Sequence, residues 1–159
     1  MKKSILSQDA AVQSPESGTW LDLEAIADVE ITSEDPAFPI ENALGKTVTK
    51  GWRAATTGPQ MIRLLFNKPQ TIHRIQLQIV DSVAERSQEL VLTANLGEER
   101  REIVRQQWNF SPQGTTEEFE DYGVALSGVS SLELKIDPDR SHDPKQSRHV
   151  ATLESLKLA

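Results

Sequence analysis

Two stretches in which apolar and polar residues alternate constrain the fold more than any other part of the chain. They occupy residues 60–66 and 71–80, on either side of Asn67-Lys68-Pro69. Successive side chains of a β-strand point to opposite faces, so a period of two indicates a strand with one buried face. The apolar positions are Ile62, Leu64 and Phe66 in the first stretch and Ile75, Leu77 and Ile79 in the second. We therefore predict two strands joined by Asn67-Lys68-Pro69.

Period-two patterns recur along the rest of the chain, separated by turn residues. Further strands are predicted around residues 29–31, 90–96, 101–110, 119–126, 132–136 and 150–158. Helical patterns are limited to one turn at residues 41–44, which Gly45 ends, and to residues 82–94, where a helix is the alternative to a strand. Roughly eight short strands and little helix predict an all-β fold, an antiparallel β-sandwich of the jelly-roll type.

The pattern also divides the chain into two parts. Residues 1–18 are polar and close with Ser-Pro-Glu-Ser-Gly, which predicts a mobile N-terminal tail. Strand patterning begins after this segment, so residues 19–159 are predicted to form one domain. A chain of 159 residues is long enough to bury a hydrophobic core of its own.

Charge and composition exclude several classes of function. A net charge of −7 disfavours broad nucleic-acid binding, because an acidic surface repels phosphate groups. No apolar run approaches the ~20 residues that a membrane-spanning helix needs, and no signal-like apolar segment follows Lys2 and Lys3. We therefore expect a cytoplasmic protein without a membrane span. The chain has no cysteine, which excludes disulfides and thiolate zinc sites.

A series of local features in a fixed order resembles a known domain family. The series runs from Ile31-Thr32-Ser33 through Asn42-Ala43-Leu44 and the isolated Trp52 to the two alternating stretches and the closing strands. In this order the features resemble the discoidin-type domain (coagulation factor 5/8 type C) of the galactose-binding-like superfamily, over residues 29–158. The sequence Trp-Arg-Ala-Ala that begins at Trp52 is also similar to the N-terminal domain of the scaffold protein of DNA single-strand-break repair.

The resemblance implies a jelly roll that binds a ligand and catalyses nothing. A glycan, bound through loops at one end of the sandwich, is the first expectation for the ligand. The alternative is an intracellular protein–protein interaction domain, a scaffold or adaptor of the repair-scaffold type, with a protein as its partner. Neither function requires a cofactor, and none is expected. Fold-level analogy is the basis of both expectations.

A structural calcium ion, which many discoidin-type domains carry, is not expected in this chain. Those members have Asp-Gly after the Asn-Ala-Leu turn and a glutamate in the last strand, and both contribute to the calcium site. Here Leu44 is followed by Gly45-Lys46, and Ser155 stands at the place of the glutamate, with Glu154 one position away. Calcium prefers six to eight oxygen ligands that include carboxylates. We therefore predict no metal site.

Basic and imidazole side chains in two loops are the candidate ligand contacts. Lys50 and Arg53 flank Trp52, whereas His142, Arg148 and His149 belong to the polar segment before the last strand. The resemblance makes the strands next to these loops neighbours, and loops on a rigid sandwich commonly carry function. Arginine donates two parallel hydrogen bonds to a planar anion. We therefore predict that these five residues line one ligand site.

The aromatic residues and carboxylates indicate neither a sugar platform nor a catalytic centre. The resemblance implies that Trp52 packs in the core. Trp108 shares a strand face with Val104 and Phe110, which predicts core or edge cover, and aromatic residues make up only 5% of the chain. No phosphate-binding glycine loop and no nucleophile-elbow motif occurs. Two carboxylates could in principle hydrolyse a glycosidic bond. However, the run of Glu117, Glu118, Glu120 and Asp121 resembles a solvated edge, so no catalytic residue is assigned.

Overall fold

Strands form most of the described part of the chain. The computed structural model describes residues 20–45, 50–80, 86–110, 114, 116–139 and 149–159, with the backbone alone at Arg86. The strands are β1 (Ala27–Ile31), β2 (Trp52–Thr57), β3 (Gln60–Val80), β4 (Arg86–Leu96), β5 (Glu99–Phe110), β6 (Glu117–Asp137), β7 (Val150–Leu153) and β8 (Ser155–Leu158). The described helices are the single turns α1 (Leu23–Ile26) and α2 (Glu41–Leu44). No helix in this part of the chain is long and apolar enough to cross a membrane.

The two longest strands, β3 and β6, organise an antiparallel β-sandwich. Each has 21 residues, and they pair with each other from one end to the other. The first half of β3 also pairs with β1, and the second half of β6 pairs with β4, which pairs with β5. We call this arrangement, β1–β3–β6–β4–β5, the five-stranded layer. The second half of β3 pairs with β8, so β8–β3–β6 forms the three-stranded layer.

The continuity of β3 differs from the prediction. The predicted division into two strands at Asn67-Lys68-Pro69 is wrong, because one strand runs on through these residues. Pairing with β6 is instead irregular between Leu65 and Gln70. Proline has no N–H to donate to the ladder, and a bulge accommodates it without reversing the chain. The local sequence signalled an interruption of hydrogen bonding, and the interruption is a bulge.

Three other predicted elements compare with the structure in different ways. The helical turn at Glu41–Leu44 is confirmed. The segment Arg86–Leu96 is a strand, so the helical alternative is wrong for the described residues of that stretch. The last predicted strand is divided into β7 and β8 at Glu154, whose backbone N–H donates to the carbonyl oxygen of Gln78 at 2.8 Å. The predicted tail of residues 1–18 lies outside the described residues.

One hydrophobic core lies between the layers. Its members come from both halves of β3 and β6 and from β2, β4, β5, β7 and β8. Trp52 and Trp108 are 1% and 6% exposed, so the expected core position of Trp52 is confirmed, and Trp108 is a core residue rather than edge cover. The indole N–H of Trp52 donates to the carbonyl oxygen of Ser33 at 3.2 Å. A buried indole keeps a partner in this way, and the bond ties the loop after β1 to the core.

Replacement of Trp52 by alanine should lower the free energy of unfolding by about 3–5 kcal/mol, because a fully buried ring leaves a cavity. Urea-induced unfolding of the two proteins measures the difference. Trp20→Ala is the matched control, because the Trp20 side chain is only half-buried and should cost less. Equal losses for the two variants would contradict the core position of Trp52.

Gly51 and Gly58 provide a second test, because both have a positive φ, at 75° and 84°. A Cβ atom on Gly51 would lie 2.7 Å from the carbonyl oxygen of Leu153, whereas a Cβ atom on Gly58 would meet nothing within 4 Å. Gly58→Ala should therefore cost only the backbone strain, about 1–2 kcal/mol. Gly51→Ala should cost distinctly more in the same unfolding experiment. A smaller loss at Gly51 would show that β7 moves away from it freely.

Candidate functional site

The backbone of Arg53 is fixed on both sides. In β2 it is the register partner of Thr152 in β7. On the other side, the N–H of Asp35 donates to the Arg53 carbonyl oxygen at 2.8 Å, and the Arg53 N–H donates to the carbonyl oxygen of Phe38 at 3.2 Å. The loop between β1 and α2 therefore lies along β2 and limits where the Arg53 side chain can go.

Ser33 connects this loop to β2 and β3 through its own hydrogen bonds. Its hydroxyl donates to Oε1 of Gln60 at 2.8 Å and accepts from the N–H of Ala55 at 3.0 Å. Gln60 is only 2% exposed, and its Nε2 donates to the carbonyl oxygen of Thr56 at 3.2 Å. A buried amide whose donor and acceptor are both paired holds its neighbours in one arrangement. The loop is thus braced by side chains as well as by backbone.

The Arg53 guanidinium is exposed and stacks on an aromatic ring. Its central carbon lies 4.4 Å from the centroid of Phe38. No carboxylate in the described part of the chain forms an ion pair with it. A cation over a ring gains about 0.5–1 kcal/mol at an exposed site, and the N–H donors in the guanidinium plane stay available. We call Ser33, Phe38, Arg53, Thr56 and Gln60 the Arg53 end.

The other predicted ligand contacts in the described residues, Lys50 and His149, do not lie together. Lys50 is exposed and precedes Trp52, which pairs with Leu153, whereas His149 is half-buried and precedes Val150, which pairs with Thr57. Because β2 and β7 are antiparallel, Lys50 and His149 lie at opposite ends of this two-stranded sheet. The steps from Val150 to Leu153 span roughly 10 Å.

His142 and Arg148 lie outside the described residues. As predicted, β2 and β7 are neighbours, and Arg53 lies between the two ends of the sheet that they form. A role of these five residues in ligand binding stays a prediction.

Sequence reasoning missed Phe38 and Ser33. Phe38 lies in a loop with two prolines, where no periodicity indicates which way a side chain points. Ser33 follows β1, and Gln60 follows Gly58-Pro59. This pair of polar residues beside turns could have indicated Ser33, because such residues brace loops when they are buried.

A charged depression of about 570 Å³ lies on the outer face of the five-stranded layer. Glu133 is only 7% exposed there and receives hydrogen bonds from Nη2 of Arg100 at 2.8 Å and Nε of Arg63 at 3.0 Å. Arg105 bonds to Glu89 at 3.1 Å. These three arginines are already neutralised by carboxylates. The depression is therefore better explained as a cross-strand ion-pair lattice than as a ligand site.

Hydrogen bonds from Arg100 and Arg63 hold the pKa of Glu133 below its usual value against the opposing effect of burial. A depressed carboxyl pKa stabilises the folded state fully above the ordinary glutamate pKa of about 4.3, and the stabilisation is lost as the pH falls through the lower folded pKa. Glu133 thus contributes to acid sensitivity.

We expect Glu133→Gln to be less stable than the parent at neutral pH and to lose less stability between about pH 5 and pH 2, because the variant has no proton to take up there. Denaturant unfolding across this range measures both effects. Glu99→Gln removes an exposed carboxylate that pairs with Arg101 and should change the pH profile little. Parallel pH profiles for the parent and Glu133→Gln would refute this assignment.

No group of three or more histidine and acidic side chains in the described residues could hold a metal ion. The carboxylate of Glu154 remains near Gly51, where Oε1 would lie 3.1 Å from an added Cβ atom. The absence of a structural calcium ion therefore stays a prediction, which a calcium titration tests.

Solved structures with a similar backbone identify the fold. No protein-family profile and no curated protein matches the sequence. The family 32 carbohydrate-binding module of NanJ from C. perfringens, solved with galactose, has a TM-score of 0.61 at 12% identity and covers 88% of this chain and 97% of its own.

CpGH89CBM32-4 from Clostridium perfringens, solved with glcNAc-alpha-1,4-galactose, has a TM-score of 0.62 at 10% identity, covering 94% and 98%. The corresponding module of AlyQ, solved with 4,5-unsaturated mannuronic acid, has a TM-score of 0.59 at 13% identity, covering 84% and 95%. Similarity at such low identity concerns the backbone, and it agrees with the sandwich described above. The chain therefore has a galactose-binding-like β-sandwich fold.

Proposed function

We propose that the protein is a non-catalytic carbohydrate-binding module whose ligand contacts the Arg53 end. The observation that carries the proposal is the Arg53 guanidinium, which has no carboxylate partner among the described residues and rests 4.4 Å from the Phe38 ring. Its N–H groups can bond the hydroxyls or the carboxylate of a sugar. The braced backbone around Arg53 holds this donor set in place before the ligand arrives, which lowers the entropy cost of binding.

The similar structures support the class of ligand. The three described above are modules solved with a sugar or a sugar acid. Loops on a rigid sandwich are common sites of function, and the Arg53 end is built from the loop after β1, from β2 and from the first residue of β3. Lys50, His142, Arg148 and His149 stay predicted further contacts; because Lys50 and His149 lie at opposite ends of the β2–β7 sheet, a ligand that reaches both would have to span roughly 10 Å. A carboxylated sugar would suit the positive charge of Lys50, Arg53 and Arg148 best.

We expect Arg53→Ala to weaken glycan binding at least about tenfold, because the loss of a charged hydrogen-bond donor costs about 1.5–3 kcal/mol. A glycan array identifies the ligand, and isothermal titration calorimetry measures the change. Arg101→Ala is the control, because it removes an exposed arginine from β5, where Arg101 pairs with Glu99. Phe38→Ala should weaken binding less, through loss of the stacking contact.

Two outcomes would contradict the proposal. Unchanged affinity in Arg53→Ala with a clear ligand would move the site elsewhere on the sandwich. Absence of any glycan ligand, together with capture of a specific protein by the immobilised chain, would instead support the protein–protein interaction alternative.

A further inference from the structure

The inward row of the first half of β6 carries polar side chains where the core would need apolar ones. In register with β3, Tyr122 lies opposite Ile75, Glu120 opposite Leu77 and Glu118 opposite Ile79. These isoleucine and leucine side chains are fully buried, so Glu118, Glu120 and Tyr122 share their inward face. All three are half-buried, whereas Glu117, Phe119 and Asp121, which alternate with them, are exposed. Only half of the predicted solvated edge is therefore solvated.

The opposite layer brings further polar groups to the Tyr122 end of this row. Gln106 of β5 lies beside the Tyr122 hydroxyl. Gln88 of β4 is opposite Trp108, one diagonal step from Gln106 on the same inward face. Gln88 is 0% exposed, and neither its amide nitrogen nor its amide oxygen has a hydrogen-bond partner among the described residues.

The Tyr122 hydroxyl is also buried without a partner of good geometry. Buried polar groups are nearly always paired, so this concentration of unpaired ones indicates a missing partner. We call Gln88, Gln106, Glu118, Glu120 and Tyr122 the edge cluster.

The two carboxylates of the edge cluster favour a cation as the missing partner. Burial, and then the charge of Glu120, raise the pKa of Glu118. Burial, with Glu120 and Glu118, raises the pKa of Tyr122 to about 12, so its hydroxyl stays neutral. No lysine or arginine of the described residues forms an ion pair with Glu118 or Glu120. Two like charges in a half-buried setting gain most from a cation.

We propose that the edge cluster is a second ligand site, which binds the protonated amino group of an amino sugar between Glu118 and Glu120. An ammonium donates to both carboxylates, and the ring hydroxyls complement the donors and acceptors of the two amides and the phenol. A divalent metal ion is a poorer fit, because the cluster supplies two carboxylates and calcium wants more oxygen ligands. The inference rests on the proposed carbohydrate-binding function but concerns a different part of the sandwich from the Arg53 end.

The β6 edge offers a route to this site. The first half of β6 pairs with β3 on one side, and no described strand pairs with its other side. Glu118, Glu120 and Gln106 are half-buried and form the outer part of the edge cluster, whereas Gln88 and the Tyr122 hydroxyl form the inner part. A ligand therefore meets the carboxylates first and the neutral groups behind them.

D-Glucosamine and D-glucose test the proposal, because they share one ring and differ in the ammonium group. We expect D-glucosamine to bind the full chain near neutral pH and to shift the side-chain amide signals of Gln88 and Gln106 in an NMR titration. D-Glucose should bind at least about tenfold more weakly, because it lacks the charged donor. Equal binding of the two sugars, or no binding of D-glucosamine, would overturn the proposal.

Matched variants separate this site from the rest of the chain. The double variant Glu118→Gln, Glu120→Gln should lose at least about tenfold in D-glucosamine affinity. The double variant Glu117→Gln, Glu99→Gln changes the net charge equally, at two exposed positions, and should bind as the parent does. Tyr122→Phe removes only the hydroxyl and should weaken binding even if the double carboxylate variant unfolds.

Arg53→Ala separates the two proposed sites. D-Glucosamine binding that survives this substitution supports a separate edge site, even if the array ligand of the Arg53 end is never found. D-Glucosamine binding that is abolished by Arg53→Ala and kept in Glu118→Gln, Glu120→Gln would assign the sugar to the Arg53 end and overturn the inference. Saturation by calcium chloride or by a lysine-rich peptide, with no response to D-glucosamine, would also overturn it.

Discussion

The pairing of β3 with β6 is the interaction on which the rest of the structure depends. Both strands have 21 residues, and each belongs to both layers of the sandwich. β3 and β6 each pair with additional strands of one layer in one half and continue into the other layer in the other half. The continuous backbone of these two strands therefore connects the layers covalently. The core between the layers is therefore held at one distance by continuous backbone as well as by packing. β1, β4 and β8 attach to this pair, and β5 attaches through β4.

The Arg53 end uses the core as its support. The Trp52 indole is buried, and its N–H bonds to Ser33, whose hydroxyl in turn bonds to the buried amide of Gln60. Arg53 follows Trp52 directly, so its exposed guanidinium begins from a backbone that the core has already fixed. A rigid scaffold beneath a polar loop is the arrangement that precise ligand binding requires. The edge cluster is different, because its buried Gln88 amide has no hydrogen-bond partner among the described residues.

The sequence predicted well what depends on local alternation, and less well what depends on register. The faces of Ile62 and Leu64 followed from the period, and the burial of Trp52 followed from the family resemblance. The bulge near Pro69 did not, because a proline interrupts hydrogen bonds equally in a turn and in a bulge. The inward orientation of Glu118 depends on its pairing with Ile79, 39 positions away, which no local pattern encodes. Phe38 lies in an irregular loop, where hydrogen bonds to distant residues decide its position.

The length of the β3–β6 pair also has a consequence for how the chain reaches its fold. Arg63 and Glu133 bond to each other across the pair although they are 70 positions apart in sequence. Contacts between such distant segments form slowly, because the intervening chain must first give up its freedom. During synthesis, β3 leaves the ribosome well before β6 exists, with its row of leucine and isoleucine side chains uncovered. The polar face of β3 and the arginines along it then limit association with other chains until β6 arrives.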